Sequence, residues 1–252
     1  MSDNKRLFSD RVDHYVMYRP GYPVEAIDFL YDTLGFGSAG TIADIGAGTG
    51  IFTQLLLERG SAVYAIEPNP EMRGAAESRL SAYERFRSVD GSAEETTLAD
   101  HAVGAIVCAQ AFHWFDIPLA KREFGRILRP GGYSALVWNR RSTDVDEFAS
   151  AYDALLRRYG KDYEKVNHKN LRHEHFVAFF LNGAYERAVF PHRQQYDLDG
   201  LKGRTMSSSY CPLPGEPGYE PLMAALDELF ARAARNGVVA FEYETEVFYG
   251  HA

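Results

Sequence analysis

Ala43-Asp44-Ile45-Gly46-Ala47-Gly48-Thr49-Gly50 decides how this chain is read. The run stands between a β-rich segment, Thr41 to Ile45, and a helical pattern, Ile51 to Arg59. Three glycines at alternate positions strip the side chains from a strand-to-helix turn, so a ligand can lie against bare backbone. The helix start at Gly50 offers amide donors and a partial positive charge suited to a carboxylate or phosphate. Taken alone, such a turn is also just a tight connection. Glu67 adds the second element, at the end of the next β-rich run, Ala62 to Ile66, and 17 residues after Gly50. An acid there can accept both ribose hydroxyls of a nucleoside, whereas a lone surface Glu would only cap the helix starting near Pro70.

The same alternation continues outward. Val103 to Ala109 and Tyr133 to Trp138 are β-rich, while Glu71 to Leu80 and Leu119 to Leu128 are helical. Strands alternating with helices of this length imply crossover units and a parallel sheet covered on both faces. Asp116 and Pro118 open the Leu119 helix, and Pro130-Gly131-Gly132 ends it. After Asn139 the rhythm changes. Phe148, Tyr152, Leu155, Leu156 and Tyr159 recur at helical spacing, with Gly160 as C-cap. Residues 161–183 resist assignment. Ala184 to Tyr196 reads as a strand interrupted by Pro191, and Ser207 to Gly215 as a long surface loop. Tyr219, Leu222, Met223, Leu226, Leu229 and Phe230 form a helical face closed by Gly237. The alternation of Val239, Phe241, Tyr243, Thr245 and Val247 with Ala240, Glu242, Glu244 and Glu246 predicts a half-buried antiparallel or edge strand.

Composition narrows the function classes. The 252 residues suffice for a sizeable core. With 46% hydrophobic and 25% charged residues, disordered, collagenous and coiled-coil readings fall away. Lys plus Arg is 27 against 35 Asp plus Glu, a formal charge of −8, which opposes a surface built to neutralise phosphates. Two cysteines, Cys108 and Cys211, fit a reduced cytosolic protein better than a disulfide scaffold. The first twenty residues lack the apolar stretch of a signal peptide, and no apolar run reaches the roughly 18 residues of a spanning helix. A soluble, cytoplasmic protein with no membrane partner is expected.

The glycine spacing also separates nucleoside classes. A dinucleotide fingerprint needs Gly where Ile51 stands, and a phosphate-binding loop of the Walker type needs Lys after Gly50. The alternating form Asp44-x-Gly46-x-Gly48-x-Gly50 resembles motif I of the class I S-adenosylmethionine-dependent methyltransferases. Ala65-Ile66-Glu67-Pro68-Asn69-Pro70-Glu71-Met72 resembles their ribose-binding strand end. Gly91-Ser92-Ala93-Glu94 is similar to their adenine-contacting loop, with Ser92 where many members carry Asp. Val107 to Phe115 resembles the fourth-strand segment, and Leu128-Arg129-Pro130-Gly131-Gly132 the approach to the fifth strand. The flanking Tyr18-Arg19-Pro20-Gly21-Tyr22-Pro23, His113-Trp114-Phe115-Asp116 and Ser209-Tyr210-Cys211-Pro212 are similar to small-molecule methyltransferases of the trans-aconitate methyltransferase-like kind.

This resemblance implies a Rossmann-like doubly wound α/β fold with a mostly parallel seven-stranded sheet, an antiparallel last strand and insertions forming a lid. It implies one methyltransferase domain over 1–252, in which 1–40 is lid and first helix, 41–140 the cofactor core and 141–252 the acceptor side. The implied cofactor is S-adenosylmethionine, leaving as S-adenosylhomocysteine. Asp44, Gly46, Ala47, Gly48 and Gly50 would hold its methionine portion, Glu67 and Pro68 the ribose, and Met72, Ser92, Ala93 and Glu94 the adenine. Gln110 and Ala111 would sit beside the reacting centre, and Tyr15, Tyr18 and Arg19 would fold over it, although Tyr18 and Tyr22 equally read as packing aromatics. Methyl transfer needs a nucleophile held in line, about 3 Å from the methyl carbon, with water excluded. His113 can take a substrate proton or can simply bond backbone and orient Trp114, the reading preferred here. Trp114, Asn139, Arg140 and Tyr210, with Tyr15, are the acceptor-pocket candidates. Arg140, Arg141 and Arg204 can grip a carboxylate. His168, His173 and His175 lack a metal-binding spacing, so no metal is expected. Cys108 is expected to be inert, whereas loop residue Cys211 could react. A small-molecule acceptor and a monomer or homodimer follow. The alternatives are cofactor binding without turnover and a macromolecular acceptor, and the latter is disfavoured by the charge and by Ala109-Gln110-Ala111-Phe112.

Overall fold

The structure is a computed structural model that describes residues 20–37, 40–161, 163 and 171–252. Tyr15, Tyr18, Arg19 and His168 lie outside the described residues. In chain order the elements are α1 (Val24–Asp32), β1 (Thr41–Ile45), α2 (Ile51–Glu58), β2 (Ala62–Ile66), α3 (Pro70–Leu80), β3 (Phe86–Val89) and β4 (Val103–Ala109). There follow α4 (Ile117–Ile127), β5 (Leu128–Arg141), α5 (Glu147–Tyr159), α6 (His173–Phe179), β6 (Glu186–Tyr196), α7 (Leu198–Met206), α8 (Tyr219–Ala233) and β7 (Val239–Gly250).

Seven strands form one sheet in the order β3-β2-β1-β4-β5-β7-β6. β1 to β5 pair in parallel, and β7 runs antiparallel between β5 and β6. The chain winds outward from β1 to β3 and returns to lay β4 against the other side of β1. The crevice between the carboxyl ends of β1 and β4 is therefore the point where the winding reverses, the place where open sheets of this kind receive ligands.

Alternate strand residues feed two cores. Ala43, Ile45, Ile106, Cys108, Leu136 and Trp138 face Phe112, Phe124, Phe176 and Phe179 on the side of α4 and α6. Ile42, Val63, Val107, Ala135 and Val137 face Leu30, Phe52 and Leu56 on the side of α1 and α2. Burial on both faces is why the inner strands read as nearly unbroken apolar runs. A third cluster, with Tyr152, Leu156, Leu201, Leu222, Leu226, Phe241 and Tyr243, joins α5, α7 and α8 to the first half of β7.

Several expectations are corrected. Pro191 does not interrupt its strand: β6 runs unbroken through it, because β6 is an edge strand and proline's missing N–H costs no ladder bond on an open side. The Ser207 to Gly215 stretch is not a surface loop throughout. Ser207, Ser208, Cys211 and Pro212 are buried, with the Ser207 hydroxyl donating to the Arg204 carbonyl at 2.7 Å. Cys211 is therefore a buried thiol and not an accessible one. Gly160 does cap α5, at φ −75°, so its reason is space: a Cβ there would meet the Leu156 carbonyl oxygen at 2.5 Å. The unassigned 161–183 segment contains α6, whose Phe176 and Phe179 plug the first core. β5 is also longer than expected, and its last residues, Asn139 to Arg141, carry the sheet past the ends of its parallel neighbours. Among the described residues, no helix is long and apolar enough to cross a membrane.

Candidate functional site

The glycine turn is built as its sequence demands. Gly46, Gly48 and Gly50 have φ of +73°, +57° and +78°, the left-handed region in which a side chain is strained. Gly46 is doubly constrained, since a Cβ there would lie 2.5 Å from the Ala111 Cβ at the end of β4. A Cβ on Gly48, in contrast, would meet nothing within 4 Å among the described residues, so this part of the turn is open towards them.

Two acids flank that space. Asp44, fully buried at the end of β1, accepts from the Thr53 hydroxyl through Oδ2 at 2.6 Å. Among the described residues its buried Oδ1 has no hydrogen-bond partner, and neither has the Thr49 hydroxyl in the same turn. Burial, aided by the nearby Glu67 charge, pushes the Asp44 carboxyl up to about 7. Glu67 follows β2, and its Oε2 accepts from the Gly48 amide at 2.8 Å and its Oε1 from the Asn69 amide at 2.9 Å. The glycine turn and the next strand end are thereby stitched through one carboxylate. Asn69 caps α3 by accepting from the Met72 amide at 2.9 Å, which fixes the first turn of the helix and its buried Met72.

The loop after β3 forms the next wall. Ala93 is buried in the core beside Ile66 and Ala111. Ser92 and Glu95 exchange backbone hydrogen bonds, and Glu94 Oε1 accepts from the Asp116 amide at 2.9 Å. Beneath the loop, Glu123 Oε1 takes both the amide and the hydroxyl of Thr96, and the Arg126 guanidinium holds this carboxyl well below the usual range. Gln110 closes the crevice from β4. It sits at φ +60°, where a non-glycine residue costs about 1–2 kcal/mol, while its amide donates to the Val137 carbonyl at 2.9 Å. His113 and Trp114 follow in a short 3₁₀ turn, half-buried, with ring centroids 4.6 Å apart.

The acceptor-side candidates divide. Asn139 and Arg141 lie on the α1 and α2 face of β5, whereas Arg140 points the other way and pairs with Glu246 at 3.7 Å. Asn139 is tied into the framework. Its Nδ2 donates to the Gly21 carbonyl at 2.8 Å, which orients the amide, so its Oδ1 accepts the Thr245 hydroxyl at 2.6 Å. Asn139→Ala should cost about 1–3 kcal/mol in urea unfolding, because a buried carbonyl and hydroxyl lose their partner, with S-adenosylhomocysteine affinity left within twofold. Tyr210 is half-buried, its ring 4.9 Å from that of Tyr163. Arg141 and Arg204 come together around Tyr152 and Tyr243. His173 bonds the Tyr185 hydroxyl, and His175 accepts from the Arg172 amide, so each serves local structure around α6.

Sequence reasoning missed Thr53 and Asn69 around the turn and Tyr152, Asp153 and Tyr243 on the far side. A threonine three residues into α2 and an asparagine before Pro70 were the available signals.

A profile of the methyltransferase domain family matches residues 43–136, from β1 into β5. An uncharacterized methyltransferase of Schizosaccharomyces pombe is 32% identical over 236 residues, covering 91% of this chain and 89% of that protein. The chain belongs to the class I S-adenosylmethionine-dependent methyltransferases. An uncharacterized methyltransferase of Mycobacterium tuberculosis is 43% identical over 139 residues, 55% of this chain, and the match spans only 54% of that relative's length. The fold is shared with a solved protein of Anaeromyxobacter dehalogenans described as a type II methyltransferase, at a TM-score of 0.68 and 20% identity over 93% of this chain and 98% of that one. The turn of this methyltransferase fits the sulfonium nucleoside of its class. An orphaned carboxylate oxygen suits an ammonium group, bare backbone at Gly48 leaves room, and a carboxylate at the second strand end suits a diol.

Proposed function

We propose that this methyltransferase transfers a methyl group from S-adenosylmethionine to an oxygen of a small-molecule acceptor, a carboxylate or a hydroxyl. The observation that carries the reading is the pairing of the buried, half-satisfied Asp44 with Glu67 across a turn that opens at Gly48. Asp44 would take the ammonium, Glu67 and Pro68 the ribose, and Ala47 with the three glycines the methionine chain. Met72, Ser92, Ala93 and Glu94 would enclose the adenine. When bound, the cofactor supplies an electrophilic methyl carbon on a positively charged sulfur. Gln110 and Ala111 would border that carbon, with Trp114 excluding water. An ionised carboxylate attacks without help, so His113 is needed only for orientation in that case. A hydroxyl acceptor would hand His113 its proton. Residues 41–140 would thus serve the cofactor and 141–252 the acceptor. Cys108 and Cys211 are buried thiols that form no disulfide, in keeping with a reducing, cytoplasmic setting.

Calorimetry with S-adenosylhomocysteine tests the cofactor half, and incubation with methyl-labelled cofactor and fractionated extract tests the acceptor half. Micromolar uptake with label in a small molecule supports the proposal. Label found in RNA or protein overturns the acceptor class, and no uptake overturns the whole. His113→Ala should leave turnover within about tenfold if the acceptor is a carboxylate, and reduce it about 10²–10⁴-fold if His113 is a base.

A further inference from the structure

We propose that Arg204, with Arg141, forms a buried anion clamp, and that the acceptor carries a carboxylate held there, separate from the oxygen that is methylated. This rests on the methyltransferase reading above. Arg204 lies in α7 at 8% exposure, and its hydrogen bonds run to neutral hydroxyls, Tyr243 at 3.3 Å and Ser208 at 3.0 Å. Among the described residues no carboxylate lies within 4 Å of it, whereas Arg141 has Asp153 at 2.9 Å. That aspartate is heavily shared: Oδ1 also accepts from the Tyr163 hydroxyl, and Oδ2 takes Arg157. Among the described residues the buried Arg141 Nη1 has no hydrogen-bond partner. Its guanidinium lies 4.9 Å over the Tyr152 ring, and the charges of Arg141 and Arg204 both act on the Tyr152 hydroxyl.

Among the described residues, buried Arg204 has only hydroxyls beside it, and the largely buried Arg141 shares its one carboxylate, Asp153, with Arg157, so net positive charge is held out of water. Uncompensated burial of a cation is strongly unfavourable, so such an arrangement persists where an anion completes it. The tyrosine hydroxyls and the forked geometry of arginine suit a planar carboxylate.

Position adds the second part. Arg141 stands on the same face of β5 as Val137, whose carbonyl accepts from Gln110 at the crevice, and four residues further on. Four residues of strand span about 13 Å. One carboxylate cannot both receive the methyl group at the crevice and sit between the arginines, so the acceptor has two polar ends.

The test uses the full chain saturated with S-adenosylhomocysteine, probed by calorimetry and thermal shift with small mono-, di- and tricarboxylates, succinate, citrate and benzoate among them, against the corresponding amides. The wild type should bind at least one carboxylate and no amide. Arg204→Met should weaken that binding at least tenfold, leave the S-adenosylhomocysteine affinity unchanged, and leave the ligand-free melting temperature equal or higher. Arg204→Lys, which keeps the charge, should fold like the wild type yet also lose at least tenfold, because the fork is gone. Uptake of S-adenosylhomocysteine without any carboxylate overturns the clamp and spares the methyltransferase reading, whereas failure to take up S-adenosylhomocysteine overturns that reading. Equal carboxylate binding by either variant, or a methionine variant that melts well below the wild type, overturns the clamp too.

Discussion

Glu67→Ala should weaken S-adenosylhomocysteine binding by about two to four orders of magnitude, measured calorimetrically at a temperature where both proteins are folded. The diol of a ribose would give this carboxylate two charge-assisted hydrogen bonds, each worth about 1.5–3 kcal/mol. A second loss adds to the first. Glu67 already accepts from the Gly48 and Asn69 amides, so its removal also unties the turn from the second strand end. Stability should fall by about 1–3 kcal/mol, since those amides lose a charged partner. Glu67→Gln is the discriminating control. Its shape is kept, but one end of the amide becomes a donor facing the donor of Gly48 or Asn69. Such a variant should bind almost as poorly as the alanine. A glutamine or alanine variant with wild-type affinity would detach Glu67 from the nucleoside altogether.

The core was legible because local chemistry and global topology agree there. Gly46, Gly48 and Gly50 announce positive φ, and the Asp44 to Glu67 order announces the crossover that brings the two acids together. What escaped depends on parity and packing. Tyr133 to Trp138 reads in the sequence as the whole fifth strand, yet β5 continues to Arg141. Only that extension reveals that Arg140 and Arg141 face opposite sides, so the three candidate arginines could not be sorted beforehand. Ser207 to Pro212 has the composition of an exposed turn, but its hydroxyls are satisfied inside, by the Arg204 carbonyl and guanidinium, and the segment packs under α7. Thr53 looks like helix filler, and its bond to Asp44 exists because the first turn of α2 lies over the end of β1. Pro191 reads as an interruption of its strand, yet β6 runs through it, because only the sheet order shows that this strand lies at an edge.

Asp44 should impose an unusual pH dependence, with opposite signs for folding and for binding. Burial disfavours the charge and pushes its native carboxyl up to about 7, against 3.8 for an ordinary aspartate. The native state therefore keeps a proton that the unfolded chain releases between pH 4 and 7. Stability of the ligand-free protein should accordingly fall across that window, by on the order of 4 kcal/mol, and level off above pH 7. Asp44→Asn removes the titration. This variant should be more stable than the wild type at pH 8 and about equal at pH 4.5 in urea unfolding, since its amide oxygen can still accept from Thr53. Binding runs the other way. An ammonium group is attracted by the carboxylate and not by the acid, so wild-type affinity for S-adenosylhomocysteine should climb toward tenfold per pH unit from pH 5 to 7 and then flatten. Asp44→Asn should bind weakly at every pH, without that rise. Stability at neutral pH is thus given up at a residue whose charge the ligand needs, a trade expected of binding sites. An asparagine variant less stable than the wild type at pH 8, or a wild-type affinity indifferent to pH, would show that Asp44 is a framework residue and nothing more.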